Sequence, residues 1–143
     1  MTYQEAKYIV DEIKRIGFYR EKVASLQREI DSIEQQKEDL ASPKSPNGHE
    51  SIGEAKGNSV GDYTIQLLKL SAIQDSVKKR QVFFYDLYKQ ACGYRKKLMN
   101  GEYSQYATDF FGTKNKLDMQ NEYNTSNPYD RMVRIVRMEF TRL

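Results

Sequence analysis

The sequence predicts an all-α protein in which a long antiparallel helical hairpin or coiled coil precedes a small C-terminal helix-turn-helix bundle. Three observations lead to this fold class. Apolar residues recur at alternating steps of three and four along most of the chain, which is the spacing of one helix face. Only 3 of the 143 residues are proline. Clusters rich in glycine, serine and asparagine divide the chain into pieces of helix length.

Residues 1–40 predict N-terminal helices. Thr2 and Glu5 have the spacing of a capping box, and helical periodicity continues to Gly17, where we expect a break or kink. A heptad seam follows, with Lys37 at its one polar position; the apolar members are Tyr19, Val23, Leu26, Ile30, Ile33 and Leu40. Such a stripe must bury against the long helix of the same chain or against a second copy, so we expect a homo-oligomer.

Residues 41–61 interrupt the helical pattern. Twelve of these 21 residues are Gly, Pro, Ser or Asn, which predicts a flexible linker or a long exposed loop. Asp62 is the expected N-cap of a long central helix over residues 62–99. The predicted seam of this helix, with Arg80 at its gap, consists of Leu70, Ile73, Val77, Phe84, Leu87, Ala91, Tyr94 and Leu98.

Residues 100–143 predict a helix-turn-helix-like domain. We expect short helices at 102–111, at 114–123 and from Pro128 to the C-terminus. Thr113 is the expected cap of the second helix, and Pro128 occupies the first helical position that proline favours. A helix, a turn of about four residues and a further helix form the outline of a DNA-binding helix-turn-helix.

The last helix carries the clearest functional pattern. On a helical wheel its apolar residues form one arc, and Arg131, Arg134 and Arg137 form a stripe roughly opposite. Exposed guanidinium groups reach phosphates and guanine edges, so the stripe predicts binding to double-stranded DNA. A solvated helix face without a ligand is the alternative interpretation. The predicted DNA-binding residues are Asn127, Tyr129, Arg131, Arg134, Arg137, Lys114 and Lys116.

Charge, histidine and cysteine content favour binding over catalysis. Residues 1–61 hold 9 basic and 11 acidic residues, whereas residues 62–143 hold 14 and 9, which favours an anionic partner for the C-terminal half. The clusters Lys78-Lys79-Arg80 and Arg95-Lys96-Lys97 are further candidates for phosphate contacts. The single histidine, His49, lies in the expected linker, and Cys92 has no histidine nearby in sequence. We therefore expect no enzyme, no catalytic residue, no metal site and no cofactor.

The sequence also bears on localisation. No apolar segment approaches membrane-spanning length, so no membrane partner is expected. A single cysteine cannot form an internal disulfide and favours a reducing cytoplasm.

Three segments carry a family resemblance: REIDSIEQQKEDLASPKSPNG, DYTIQLLKLSAIQDSVKKR and MQNEYNTSNPYDRMVRIVRMEFTRL. With the gap between the first two, they resemble the late-gene transcriptional regulators of phages of Gram-positive bacteria, of the RinA and ArpU type. The resemblance implies a helical hairpin with a variable loop and a helix-turn-helix like region four of sigma factors. It implies an activator of phage or mobile-element late genes that works with host RNA polymerase. It also implies that Arg131 and Arg134 face DNA.

Two other function classes fit the same pattern. The heptad seams need no DNA, so a coiled-coil structural or assembly protein of a phage is the second hypothesis. An adaptor or inhibitor that binds another protein through a seam, or through the aromatic residues between Tyr103 and Phe111, is the third. DNA binding that weakens steeply with salt would favour the first hypothesis over the second, and a pull-down from host lysate would distinguish the third.

Overall fold

In a computed structural model the chain is described over residues 1–41 and 60–141, and these residues form six α-helices and no strand. The predicted all-α fold class is confirmed. The helices are α1 Tyr3–Lys14, α2 Ile16–Ala41, α3 Val60–Met99, α4 Ser104–Phe111, α5 Lys116–Tyr123 and α6 Pro128–Thr141. Within the described ranges, no helix combines the length and apolar character needed to cross a membrane.

The chain divides into two compact units. The first comprises Met1–Arg20 and Tyr85–Leu143, and the second comprises Glu21–Phe84. Counted over the sequence, the first unit holds 14 basic and 10 acidic residues, whereas the second holds 9 and 10. The excess of positive charge therefore belongs to the first unit.

The second unit is built from the paired portions of α2 and α3. Its buried cluster contains Leu26, Ile30, Ile33 and Val77, with Leu70 and Phe84 partly buried against it. The Nε2 of Gln81 donates to the carbonyl of Val23 at 3.3 Å, and the Nε2 of Gln74 donates to the carbonyl of Ile30 at 3.3 Å. Later residues of α2 therefore meet earlier residues of α3. A coiled coil extending beyond these contacts stays a prediction.

One predicted seam position of α3 is wrong. The heptad count places Ile73 in the seam, but Ile73 is 52% exposed, and Gln74, one residue later, is 3% exposed. The Gln74 side chain donates to Glu34 at 2.9 Å and accepts from the Lys37 ammonium at 3.1 Å. A buried amide is stable where both its donor and its acceptor have partners. The heptad pattern predicts that the apolar Ile73 is buried, whereas in the structure the hydrogen-bonded Gln74 faces inward.

The first unit has α6 at its centre. This helix packs against α1, α4 and α5. Its buried residues are Pro128, Met132, Val133, Ile135, Val136 and Glu139. The buried residues of α1 include Ala6, Ile9, Val10 and Ile13, at the helical spacing that the sequence shows. A narrow sector of α6, with Arg134, Arg137 and Met138, stays exposed.

The start of the chain forms the expected capping box. The Thr2 hydroxyl accepts from the Glu5 backbone N–H at 3.1 Å, and the Glu5 carboxylate accepts from the Thr2 N–H at 3.2 Å. The break between α1 and α2 falls at Arg15, not at Gly17, which lies inside α2. Outside its own stretch of helix, no atom lies within 4 Å of where a Cβ of Gly17 would be, and its φ is not positive, so neither space nor backbone conformation requires glycine there.

Two other predicted boundaries are corrected. Helix α3 begins at Val60, so Asp62 lies inside the first turn and is not the N-cap. Helix α5 is capped by Asn115, whose Oδ1 accepts from the Asp118 N–H at 2.8 Å, and not by Thr113. Residues 41, 60 and 61 of the predicted linker are helical. The rest of the predicted linker, residues 42–59 with His49, lies outside the described residues.

Candidate nucleic-acid interface

A four-residue turn connects α5 to α6. Asn124 ends α5 in the left-handed conformation, with φ of 49°, which asparagine tolerates better than most residues. The Gln120 Nε2 donates to the Ser126 carbonyl at 2.9 Å and fixes the path of the turn. The Asn127 Oδ1 then accepts from the Asp130 N–H at 3.0 Å and caps α6, directly before the Pro128 that the sequence places at the first helical position.

A cleft of about 280 Å³ lies at the starts of α5 and α6. Four of the seven predicted DNA-binding residues line it: Lys114, Lys116, Asn127 and Tyr129. The remaining lining residues are Lys14, Phe110, Asn115, Met119 and Pro128. No acidic side chain is among the described residues that line this cleft. We call it the lysine cleft.

The three lysines of this cleft differ in how far they are neutralised. The Lys114 ammonium lies 3.3 Å from Asp109 and also contacts Glu122, and the hydrogen bond to Glu122 raises the pKa of Lys114. Lys14 and Lys116 are exposed and form no ion pair within the described part of the chain. Two charges therefore remain for an anionic ligand.

Aromatic rings form the floor of the lysine cleft. The Lys14 Nζ lies 5.4 Å from the centroid of Tyr129 and 6.0 Å from that of Phe110, within the range of cation–π attraction. The Tyr129 hydroxyl donates to Asp11 on α1 at 2.6 Å. Burial, followed by this bond to a carboxylate, raises the pKa of Tyr129. The predicted ligand residue Tyr129 thus joins α6 to α1 through its hydroxyl.

A polar hollow of about 290 Å³ lies beside the turn. Its lining comprises Thr125, Ser126, Asn127, Asp130, Arg131 and Arg134, so it shares Asn127 with the lysine cleft. Arg134 is 74% exposed, and its Nε lies 2.9 Å from the Asp130 carboxylate one helical turn earlier. An exposed pair of this kind contributes little to stability and can be exchanged for a ligand phosphate.

The predicted arginine stripe is only partly exposed, because Arg131 turns inward. Its Nη1 donates to the Tyr123 carbonyl at 2.8 Å, and its Cζ lies 4.9 Å from the centroid of Tyr106. On the wheel Arg131 is the stripe member nearest the apolar arc, only about 40° from Ile135. The aromatic side chains packed against that edge of α6 cover it, so the expectation of a solvent-facing Arg131 is corrected.

Arg137 lies apart from the other predicted residues. It is exposed, and its Nε donates to the Met1 carbonyl at 3.1 Å. It lines neither the lysine cleft nor the polar hollow. Of the seven residues, the structure brings six together around the α5–α6 turn and leaves Arg137 outside this group.

Sequence reasoning missed Lys14 and Phe110. Both line the lysine cleft, yet Lys14 is 100 residues from Lys114 along the chain. The α1–α6 packing brings the N-terminal lysine to this cleft, and no local pattern signals that contact. Among the described residues, no group of three or more His, Cys, Asp or Glu side chains is placed to hold a metal ion, and Cys92 is half-buried on α3.

In comparisons with known proteins, no family model matches the chain, and neither the curated proteins nor the solved structures give a match.

Proposed function

We propose that the protein is a DNA-binding transcriptional regulator whose first unit contacts the phosphate backbone of double-stranded DNA at the α5–α6 turn. One observation carries the proposal: the lysine cleft gathers Lys14, Lys114 and Lys116 without an acidic lining residue among those described. Lysine and backbone N–H groups at helix starts are the usual partners of DNA phosphates. The resemblance to phage late-gene regulators supports the transcriptional role, with host RNA polymerase as the proposed protein partner.

The two cap asparagines suit the same ligand. Asn115 and Asn127 each use the side-chain oxygen to accept from the helix backbone. Their amide NH₂ groups are donors only and have no acceptor among the residues that the structure describes, so they are available to phosphate oxygens. The cleft therefore offers ammonium and amide donors together, a combination that fits an anionic oxygen and not a cation.

The proposed contact differs from insertion of the full arginine stripe into the major groove. Arg131 is held by Tyr123 and Tyr106, whereas Arg134 borders the polar hollow. We therefore assign backbone contacts to the lysine cleft and base reading to Arg134 and Asn127. Arg131 instead maintains the fold that presents them.

Fluorescence anisotropy with a duplex of about 30 base pairs tests the proposal. The double variant Lys14→Gln and Lys116→Gln is expected to bind the duplex roughly tenfold more weakly near physiological salt. The plot of log K against log salt should also become less steep, with the magnitude of its negative slope smaller by about 2, which is about one for each lost phosphate contact. A control pair, Lys7→Gln and Lys96→Gln, removes the same charge at exposed lysines outside both recesses.

The control pair should retain affinity within about threefold, since distant exposed charges are screened at this ionic strength. Absence of DNA binding by the unmodified protein would refute the proposal. Equal losses in both pairs would also refute it, because they would reflect net charge and not the lysine cleft. Circular dichroism should show unchanged helicity in all variants.

A second candidate function, self-assembly, is favoured by the exposed face of α3. Ile65, Leu68 and Phe83 are 50%, 65% and 59% exposed. They fall within about 60° of one another on a helical wheel, so they lie on one side of the helix, with Lys79 on the same side between Leu68 and Phe83. If the assembly hypothesis is correct, Leu68→Gln with Phe83→Gln should abolish self-association in sedimentation experiments and leave DNA affinity unchanged. A monomeric unmodified protein would exclude it.

A further inference from the structure

A second basic recess, of about 330 Å³, adjoins the lysine cleft in the first unit. Its charged lining residues are Lys14, Arg20 and Arg95, and its aromatic ones are Phe110 and Phe111. We call it the arginine cleft. No acidic residue is among the described residues that line it. The charged residues come from the ends of α1 and α3 and from α2, so three separate helices place cations here.

The two clefts are neighbours that share two lining residues. Lys14 and Phe110 belong to both. The Lys14 side chain, whose ammonium lies above the Phe110 ring, therefore stands between the two recesses. Arg20 and Arg95 are exposed, and neither forms an ion pair with the part of the chain that the structure describes.

We infer that one phosphodiester backbone of double-stranded DNA crosses from the lysine cleft over Lys14 into the arginine cleft, where Arg20 and Arg95 bind further phosphates. This inference rests on the proposed DNA-binding function and extends its contact surface. A single small anion would be satisfied by one group of cations. Four lining cations have no ion pair in the described part of the chain: Lys14, Lys116, Arg20 and Arg95. Spread over two neighbouring recesses, they instead match a ligand that repeats its charge along its length, as a nucleic-acid strand does.

The aromatic floor favours a duplex over a single strand. Single-strand binding relies on bases that stack on open aromatic faces. The Phe110 ring is stacked with Tyr106, at 6.3 Å between centroids and 13° between planes, and also lies beneath Lys14. Tyr129 lies beneath the same ammonium. These rings already have partners within the protein, so they support the cations and do not offer a platform for bases.

The test uses the full chain with Arg20→Gln and Arg95→Gln together. Affinity for the duplex should fall about tenfold, and the magnitude of the negative slope of log K against log salt should become smaller by about 2. The matched variant Arg20→Lys and Arg95→Lys should retain most of the affinity, because a backbone phosphate accepts either cation. A single strand of the same length should bind no more tightly than the duplex, and polyglutamate should compete only weakly.

The outcomes separate this inference from the proposed function. If Lys14→Gln with Lys116→Gln weakens binding while Arg20→Gln with Arg95→Gln does not, the inference fails and the DNA-binding proposal stands. If both pairs bind as the unmodified protein does, both fail. Tighter binding of the single strand would overturn the duplex assignment. Polyglutamate binding with the same dependence on Arg20 and Arg95, and as tight as DNA binding, would indicate an acidic protein partner instead and would overturn it as well.

Discussion

At the scale of single residues, Arg131 and Arg134 show that neighbouring arginines of one predicted stripe have different roles. Arg131 bonds the Tyr123 carbonyl and lies over Tyr106, whereas Arg134 is mostly exposed. Arg131→Ala should lower the free energy of unfolding by about 2 kcal/mol, since it removes a charge-assisted hydrogen bond and a cation–π contact. Arg134→Ala should change it by less than about 0.5 kcal/mol. Urea denaturation measures both, and equal effects would contradict the inward position of Arg131.

Tyrosine hydroxyls bonded to carboxylates set the alkaline limit of the first unit. The bond from Tyr123 to Asp109 raises the pKa of Tyr123 to about 12, and burial raises the pKa of Tyr129. The folded state therefore favours the protonated hydroxyl. The stabilisation is complete below the ordinary tyrosine pKa of 10 and is lost as the pH rises from there towards 12.

A double variant tests that pH dependence. Tyr123→Phe with Tyr129→Phe should be less stable than the unmodified protein at pH 8, because both hydrogen bonds are lost. Its melting temperature should fall less between pH 9 and pH 11.5, because two of the groups that titrate there are gone. Melting curves followed by circular dichroism at several pH values give the comparison. If the melting temperatures of the two proteins fell equally over this pH range, other groups would control alkaline stability.

At the scale of helices, the register of α3 is the feature most open to test. Val77 is 4% exposed and Ile73 is 52% exposed. Val77→Ala should therefore cost about 2 kcal/mol, from the lost burial of two methyl groups and the space they leave. Ile73→Ala should cost less than about 0.5 kcal/mol. Chemical denaturation decides between this register and the one the heptad count predicts, for which the loss at Ile73 would be as large as the loss at Val77.

The helices were predictable where a local rule specifies them. The Thr2 capping box and the start of α6 at Pro128 follow short-range rules, which the sequence displays directly. The choice between Ile73 and Gln74 depends on partners from α2, and the cover over Arg131 depends on rings from two other helices. Apolar periodicity carries no information about either, because both are set by tertiary contacts.

At the scale of the whole molecule, charge is divided between the two units in a way that the sequence halves only suggest. The first unit carries the basic excess, and both clefts lie within it. Lys14, Lys116 and Arg95 are distant in sequence, so only the fold brings them to the same region of the first unit. Of the basic clusters noted in the sequence, Arg95 lines a cleft, whereas Lys78-Lys79-Arg80 belongs to the second unit.

This division predicts where charge removal affects the proposed DNA binding. Changing Lys78, Lys79 and Arg80 to glutamine together removes three exposed positive charges from the second unit. Affinity for duplex DNA should nevertheless change by less than about threefold, because non-contacting charges are screened by salt. Anisotropy at two salt concentrations measures the effect. A loss larger than that of Lys14→Gln with Lys116→Gln would move the DNA contact to the second unit.

Asn124 has a consequence for how the turn can evolve. It is the one residue with positive φ among those the structure describes. Glycine, and to a lesser degree aspartate, can adopt that backbone conformation without strain, while β-branched residues cannot. In a saturation library at position 124, selected for folded protein, glycine, asparagine and aspartate should accordingly be the main residues recovered. In divergent relatives of this chain, substitutions should therefore be more frequent at the neighbouring turn positions than at position 124.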